Sequence, residues 1–489
     1  MTRIAVALAA LALALPAGAA GGAAFTPTDP LVAKQWYLGA VHAFDYWADQ
    51  PPILAPVRVA VIDSGLDLDH PEFIGQVALA QSFVGGDVSD RQGHGTFVAG
   101  IIAAALDNGQ GIAGIAFPSE LLIAKVVRSD GTIAPNEEAK AIRWAADNGA
   151  RVINLSLGGL RDPLDPHQDT YSEAEQSAIA YAYSKGAVVV AAVGNADEAP
   201  KTPWHYASYP AALPHVIGVS ALAADGSVPA FSIRDKVFND VAAPGVGIVS
   251  TLPRSLTAAR PACVEQGYSL CGPPEFRSAD GTSYAAAQVS AAAALLIAMR
   301  PSLAPDQVMS LLERSAVDVD AGTGCTKCPL GRDWYSGWGS LDVAAALQAL
   351  DGPIPPRDRY EGNDGTGSRA YTLYGRSINI SATLDYWDDN VDVYRVHLRK
   401  GQTVAVSLRG PSTTDSDLIL WKPGTPQIDA PSFGQQAALQ VWRVTQSVRV
   451  GPNEHFVKRV GAEGWYYVEV KLTTQGSGGY RLRISKGPA

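Results

Sequence analysis

The chain has 489 residues, 47 % of them apolar and 18 % charged, with a formal net charge of −10. That length leaves room for two or more domains with their own cores, and the composition excludes a disordered chain. The acidic balance gives no electrostatic reason to expect nucleic acid or an anionic membrane as a partner.

The first twenty residues, MTRIAVALAALALALPAGAA, carry one basic residue, Arg3, then an apolar run over 4–15, Pro16 and small residues. This is the layout of a secretory signal cleaved near Ala19 or Ala20, and the run is too short to span a bilayer. Residues 1–20 are expected to be that signal, which implies export into an oxidising environment.

From residue 55 the pattern repeats as strand, loop, helix. VRVAVIDSG (57–65) reads as a buried strand ending at a glycine, HGTFVAGIIAAAL (94–106) as a helix and SELLIAKVV (119–127) as a strand. PNEEAKAIRWAADNGA (135–150) opens on a proline and acidic residues and closes on a glycine, as a helix does. RVINLSLGG (151–159) is a strand and EAEQSAIAYAYSKG (173–186) a helix; AVVVAAVGN (187–195) and VIGVSAL (216–222) are strands again. The alternation predicts an α/β fold, a parallel sheet flanked by helices. Three prolines within 353–356 mark a linker over 351–359. Beyond it, VDVYRVHLRKG, TVAVSLRG, SDLILWKPG and WYYVEVKL alternate apolar and polar residues between turn residues, predicting an antiparallel β-sandwich over 360–489.

Four cysteines form two near pairs, Cys263 with Cys271 and Cys325 with Cys328. Three pairings are possible in principle. A four-thiolate zinc site or a redox motif at CTKC is conceivable, but export favours two local disulfides.

DGTSYAAAQVS (280–290) puts hydroxyls in front of a long run of apolar or small residues reaching Met299. Ser283 could cap a buried helix, the run could cross a membrane, or Ser283 could be a nucleophile. Two other segments bear on the choice. Asp63 ends a predicted strand in VIDSGLDLDHPEF, and His94 sits between two glycines at a helix start in GHGTFVAG. In an open parallel sheet such positions gather at the carboxyl ends of the strands. A serine needs an imidazole to take its proton, and the imidazole needs a carboxylate to hold its tautomer. Asn195, just past a strand end in AAVGNAD, could direct its amide at a developing oxyanion.

The order Asp, His, Ser with DSG, HGTFVAG and GTSYAA resembles the subtilisin-like serine peptidases over residues 28–350. The resemblance implies catalytic roles for Asp63, His94, Ser283 and Asn195, with protein or peptide substrates and a monomeric enzyme. It implies that Ser156, Leu157 and Gly158 bind the substrate backbone as an added strand. A side-chain pocket would be lined by Leu157, Gly158, Ala192, Val193, Gly194 and Ser208, without an acidic group, hence with broad or apolar specificity. DVAAPG (240–245) and GWGSLDVAAAL (337–347) resemble further family landmarks. LDNGQGIAGIA (106–116) resembles a loop that wraps a structural calcium, with Asn108, Glu72 and Gln35 as ligands. Departures are Ala287 and Gln288, where the family usually has Pro and often His, and Gln92, where it favours Asn. Residues 21–27 leave no room for the propeptide that many relatives carry. The C-terminal region resembles the prepeptidase C-terminal domain; its acidic cluster Asp388, Asp389 and Asp392 could bind calcium, but as turn carboxylates they are expected to be solvated. Two rivals remain: a binding protein on an inert peptidase fold, and an esterase using the same serine.

Overall fold

Seven strands form one wholly parallel sheet in the order β2-β3-β1-β4-β5-β6-β7. They are β1 (Val57–Asp63), β2 (Val77–Ser82), β3 (Ser119–Lys125), β4 (Val152–Leu155), β5 (Val188–Ala192), β6 (Val216–Leu222) and β7 (Val241–Pro244). The structure, a computed structural model, describes residues 24–259, 276–352, 354, 359–360, 362–386, 389–426, 428, 439–474 and 476–488. The predicted signal and the pair Cys263 and Cys271 lie outside them, as does Asp388.

The inner strands are apolar on both faces because helices cover both. Alternate residues go to opposite cores: Val59 and Val61 to one, Ala60 and Ile62 to the other. The helices are α1 (Trp36–Ala40), α2 (His94–Ala103), α3 (Pro135–Asp147), α4 (Glu173–Ser184), α5 (Arg254–Ala259), α6 (Thr282–Met299), α7 (Pro305–Ser315) and α8 (Val343–Gln348). Helices α2 and α6 fill the first core, and α3 and α4 the second. Helix α6 is apolar enough to cross a membrane, yet 89 % of it is buried within the protein. Its alanines let it lie close to α2 and the sheet, which is the reason for that composition.

Several boundaries differ from expectation. Helix α2 stops at Ala103, where Ala104 turns extended, and β4 stops at Leu155. Residues 156–159 therefore leave the sheet as a separate edge. Helix α6 begins at Thr282, which puts Ser283 inside its first turn. The landmarks around residues 240 and 340 close the sheet together: Ala242 N–H donates to Gly339 O, and Leu341 N–H to Ala242 O, at 2.8 Å each.

Strands β8 (Ile248–Thr251) and β9 (Phe276–Ala279) pair antiparallel as a separate two-stranded sheet. The C-terminal region forms two further sheets, as expected of a sandwich. One contains β10 (Tyr371–Leu373), β12 (Val391–Leu398), β17 (Gly464–Leu472), β14 (Ser416–Trp421) and β15 (Arg443–Ser447). The other contains β11 (Ser377–Asp385), β18 (Ser477–Lys486), β13 (Thr403–Arg409) and β16 (Asn453–Arg459). The pairing is antiparallel except at one edge, where β10 runs parallel to β12. Asp392 corrects the expectation of solvated turn acids. It is buried in β12 and accepts hydrogen bonds from the hydroxyls of Tyr394 and Tyr480. His215 joins the two regions, stacked on Tyr183 at 4.0 Å and paired with Asp364. The sulfurs of Cys325 and Cys328 lie at bonding distance, 2.00 Å.

A buried polar relay ties α6 to the sheet. Ser290 Oγ donates to Asn154 Oδ1 at 2.8 Å, and Asn154 Nδ2 donates to Ser156 Oγ at 2.9 Å. Both Asn154 and Ser290 are fully buried. Asn154→Leu strands the buried Ser290 hydroxyl and removes the donor to Ser156 Oγ, and chemical denaturation should show a loss of about 2–3 kcal/mol.

Candidate active site

Strand β1 lies between β3 and β4, and the chain leaves it first toward one side of the sheet and then toward the other, so the crevice opens at its carboxyl end. Asp63, the last residue of β1, is 2 % exposed. The Nδ1 of His94, the first residue of α2, lies 2.8 and 2.9 Å from the two Asp63 oxygens, and Ser64 N–H donates to Oδ1 at 2.7 Å. The close approach requires Gly95, because a Cβ there would sit 2.3 Å from the Gly65 carbonyl oxygen. The His94 ring lies against Tyr284, with ring centres 5.8 Å apart.

Ser283 Oγ donates to the Ser156 carbonyl at 3.0 Å, while Ser156 Oγ donates to the Ser283 carbonyl at 2.8 Å. These reciprocal bonds fasten the first turn of α6 to the edge that follows β4. Asn195 Oδ1 accepts from both N–H and Oγ1–H of Thr282 at 3.1 Å. Its Nδ2 is thereby turned toward Gly281, 3.7 Å from where a Cβ would stand there. His94 meets Tyr284, the residue after Ser283, and Asn195 meets Thr282, the residue before it, so the four groups lie around the N-termini of α2 and α6, which add partial positive charge.

The expected pocket is bounded by two segments laced together. Gly159 and Tyr209 exchange backbone hydrogen bonds at 2.8 and 3.0 Å, and Ser208 N–H donates to Val193 O at 2.9 Å. Gly194 has φ of 99°, and a Cβ on it would come within 2.3 Å of Ser208 Oγ and 3.0 Å of Ile233 Cδ1. Leu157 is half-buried and Gly158 exposed, Ala192 and Ser208 are buried, and a Cβ on Gly158 would stand 3.3 Å from Ser208 Cβ. Val193 departs from expectation: its side chain is fully buried in the apolar core with Ile233.

Asp90 is the residue that sequence reasoning missed. It is 2 % exposed and accepts from Ser64 Oγ (2.8 Å), Gly93 N–H (2.7 Å), Gln92 N–H (3.0 Å), and both Thr96 N–H (2.9 Å) and Oγ1–H (2.8 Å). Ser64 Oγ accepts in turn from Gly95 N–H at 2.9 Å. One carboxylate thus organises the start of α2 and ties it to the residue after Asp63. Its position four residues before His94 was the available signal, but the reach from Ser64 to Thr96 is tertiary.

The suspected calcium loop holds a buried acid. Glu72 accepts from Asn108 Nδ2 at 2.9 Å and from Ile112 N–H at 3.0 Å. Burial, helped by the charge of Asp29, pushes its carboxyl up to about 7. Asp29 accepts from the N–H groups of Asp107 and Asn108. Two neighbouring carboxylates and an amide are hard oxygen donors of the sort calcium takes, and a cation would favour the ionised form of Glu72. Gln35 is engaged elsewhere, on Ala113 N–H and O and on Tyr37. Of the departures from the family pattern, Ala287 is fully buried. Gln288 donates to Pro244 O at 2.6 Å, and Gln92 donates to Arg128 O at 3.0 Å.

Residues 55–339 match the family described as peptidase S8, the subtilase family. The chain belongs to the subtilase family. It is similar to subtilisin DY of Bacillus licheniformis, 34 % identical over 60 % of this chain and 92 % of that protein. It is also similar to thermitase of Thermoactinomyces vulgaris, 33 % identical over 61 % of this chain and 94 % of that protein. Halolysin of Haloferax mediterranei is 32 % identical over 81 % of this chain and 66 % of its own length. Among solved structures, a protease from Pseudoalteromonas arctica aligns with TM-score 0.53 and 27 % identity, covering 66 % of this chain and 99 % of its own. The subtilase fold and its serine peptidase chemistry therefore apply to this chain.

Asp90→Ala leaves the buried hydroxyls of Ser64 and Thr96 without their acceptor. A loss of about 3 kcal/mol in unfolding free energy is expected by denaturant titration, with Asp90→Asn recovering part of it.

Proposed function

We propose that the protein is a secreted serine endopeptidase that cleaves proteins or peptides through an acyl-enzyme intermediate. The observation that carries this reading is His94 Nδ1 held on both oxygens of Asp63, with Ser283 presented by the first turn of α6. A proton on Nδ1 donated to Asp63 leaves the lone pair on Nε2. Ser283 Oγ turns from Ser156 and attacks the scissile carbonyl carbon, and its proton passes to His94 Nε2. The carbonyl electrons move onto oxygen, where Asn195 Nδ2 and the Ser283 N–H donate to the oxyanion. Collapse breaks the C–N bond and His94 returns the proton to the departing amine. Water then attacks the acyl ester with His94 again as base, releasing the acid and restoring Ser283.

The substrate backbone would pair with 156–158, and the small pocket above Ser208 would take an apolar or varied side chain. Residues 1–20 act as the export signal, 28–350 as the peptidase domain, 351–359 as the linker and 360–489 as a prepeptidase-type sandwich. Glu72, Asn108 and Asp29 would hold a structural calcium, which steadies the 105–112 loop and takes no part in the chemistry.

Fluorophosphonate labelling at Ser283 together with casein cleavage, both lost in Ser283→Ala and His94→Ala, is the expected result. A folded protein that neither labels nor cleaves would overturn the proposal. Asn195→Ala should lower kcat by about 10²–10³ with little change in KM, the cost known for the equivalent amide of subtilisin. Chelation with EDTA should lower Tm, added calcium should restore it, and Glu72→Gln should abolish that difference.

A further inference from the structure

Two carboxyl groups at the same edge of the sheet take no part in the chemistry above. Glu138 lies in the first turns of α3 and Glu175 in the first turn of α4; they are 5 % and 4 % exposed. They interact across the helix interface, yet Glu138 Oε1 is buried without a hydrogen-bond partner. A stable core has no reason to face two acids at each other when apolar residues would pack there.

The topology says where they are. Strands β3 and β4 flank β1, whose last residue is Asp63, and the segments leaving both open the crevice on either side. Helix α3 starts directly after the turn that joins Val127 to Ile133, and α4 starts after the 156–172 segment. Both acids therefore sit at the crevice edge of the sheet, next in sequence to the segments that would border a bound peptide. Half-buried Ile133, Leu157 and Ala174 pack on the same cluster as Ala139, Ile142 and Ala178 of the two helices. Leu157 belongs to the edge proposed to pair with substrate.

We propose that Glu138 and Glu175 are specificity-determining residues, forming a subsite that accepts a Lys or Arg side chain of the substrate on the amino side of the scissile bond. This rests on the peptidase reading above. The aliphatic stem of such a side chain would pass the apolar rim while its cation meets the two carboxyls. The neighbouring charges are already engaged or turned outward. Arg128 pairs with Glu137 at 3.5 Å, Arg143 donates to Ser177 and lies over Tyr181, Lys185 lies over the same ring, and Lys140 and Glu173 face solvent. A substrate cation thus supplies the charge that the pair lacks.

Protonation tunes the subsite. Burial raises both carboxyls, and the charge of Glu175 raises Glu138 further; Glu175 reaches about 7. Below that pH the pair is neutral and discriminates little, and above it Glu175 ionises, so the pair carries a charge that selects a cation. The same sign governs stability: the contribution is full below the usual carboxylate range and is lost as pH rises through about 7.

The test uses quenched fluorescent peptides with Lys or norleucine, its uncharged near-isostere, at each of five positions upstream of the cleaved bond. With the full-length enzyme, one position should favour Lys at least tenfold in kcat/KM at pH 8.5 and approach parity at pH 5.5. Taking the ratio at each pH cancels the pH dependence of catalysis common to both peptides. In Glu138→Gln/Glu175→Gln the ratio should stay near one at both pH values; if that variant does not fold, Glu138→Leu/Glu175→Leu replaces it. Cleavage with no Lys preference, a preference independent of pH, or one that survives in the double variant overturns the subsite alone. No cleavage of any peptide overturns the peptidase reading and the subsite with it.

Discussion

A carboxylate sealed at the end of a strand buried at every residue but Arg58 is the constraint on which the rest depends. Asp63 can be buried at the end of an apolar strand because His94 and the backbone of Ser64 surround its oxygens with donors. That requirement fixes the start of α2, which must carry a histidine there and a glycine next to it. Asp90 answers the same need one layer out, since it collects the loose N–H groups of the α2 N-terminus.

The second fixed point is α6. Its small residues allow a long helix to lie in the core, and its first turn emerges where Ser156 and Asn195 can grip it. Gripping matters because a hydroxyl held by reciprocal bonds with its neighbour cannot drift from the crevice. The relay from Ser290 through Asn154 to Ser156 extends that hold into the sheet. The proposed chemistry is thus supported by polar contacts outside the three reacting groups, as pre-organised sites generally are.

Acids buried away from the triad divide by their partners. Asp90 is saturated by donors, and Asp392 is held by two tyrosines in the sandwich. Glu72 has donors but also a neighbouring acid, which fits a cation's seat. Glu138 and Glu175 mainly face one another, and this is why they invite a positively charged substrate group. The same residue type takes four different roles because solvation and neighbours, not identity, set the state of a carboxyl.

Strand runs, helix starts and the glycine-flanked blocks around Asp63, His94 and Ser283 were legible in the chain because they depend on local periodicity and backbone freedom. So was the order of sheet-forming and sandwich-forming segments. Contacts across many residues were not legible. The bonds from Asp90 to Ser64 and Thr96, the inward turn of Val193, the engagement of Gln35 with Ala113, the burial of Asp392 and the meeting of Glu138 with Glu175 all link separate elements. Local sequence determined which elements form and which chemistry they carry. Only packing decided which polar atoms lose water together, and that loss sets their pairing and their charge.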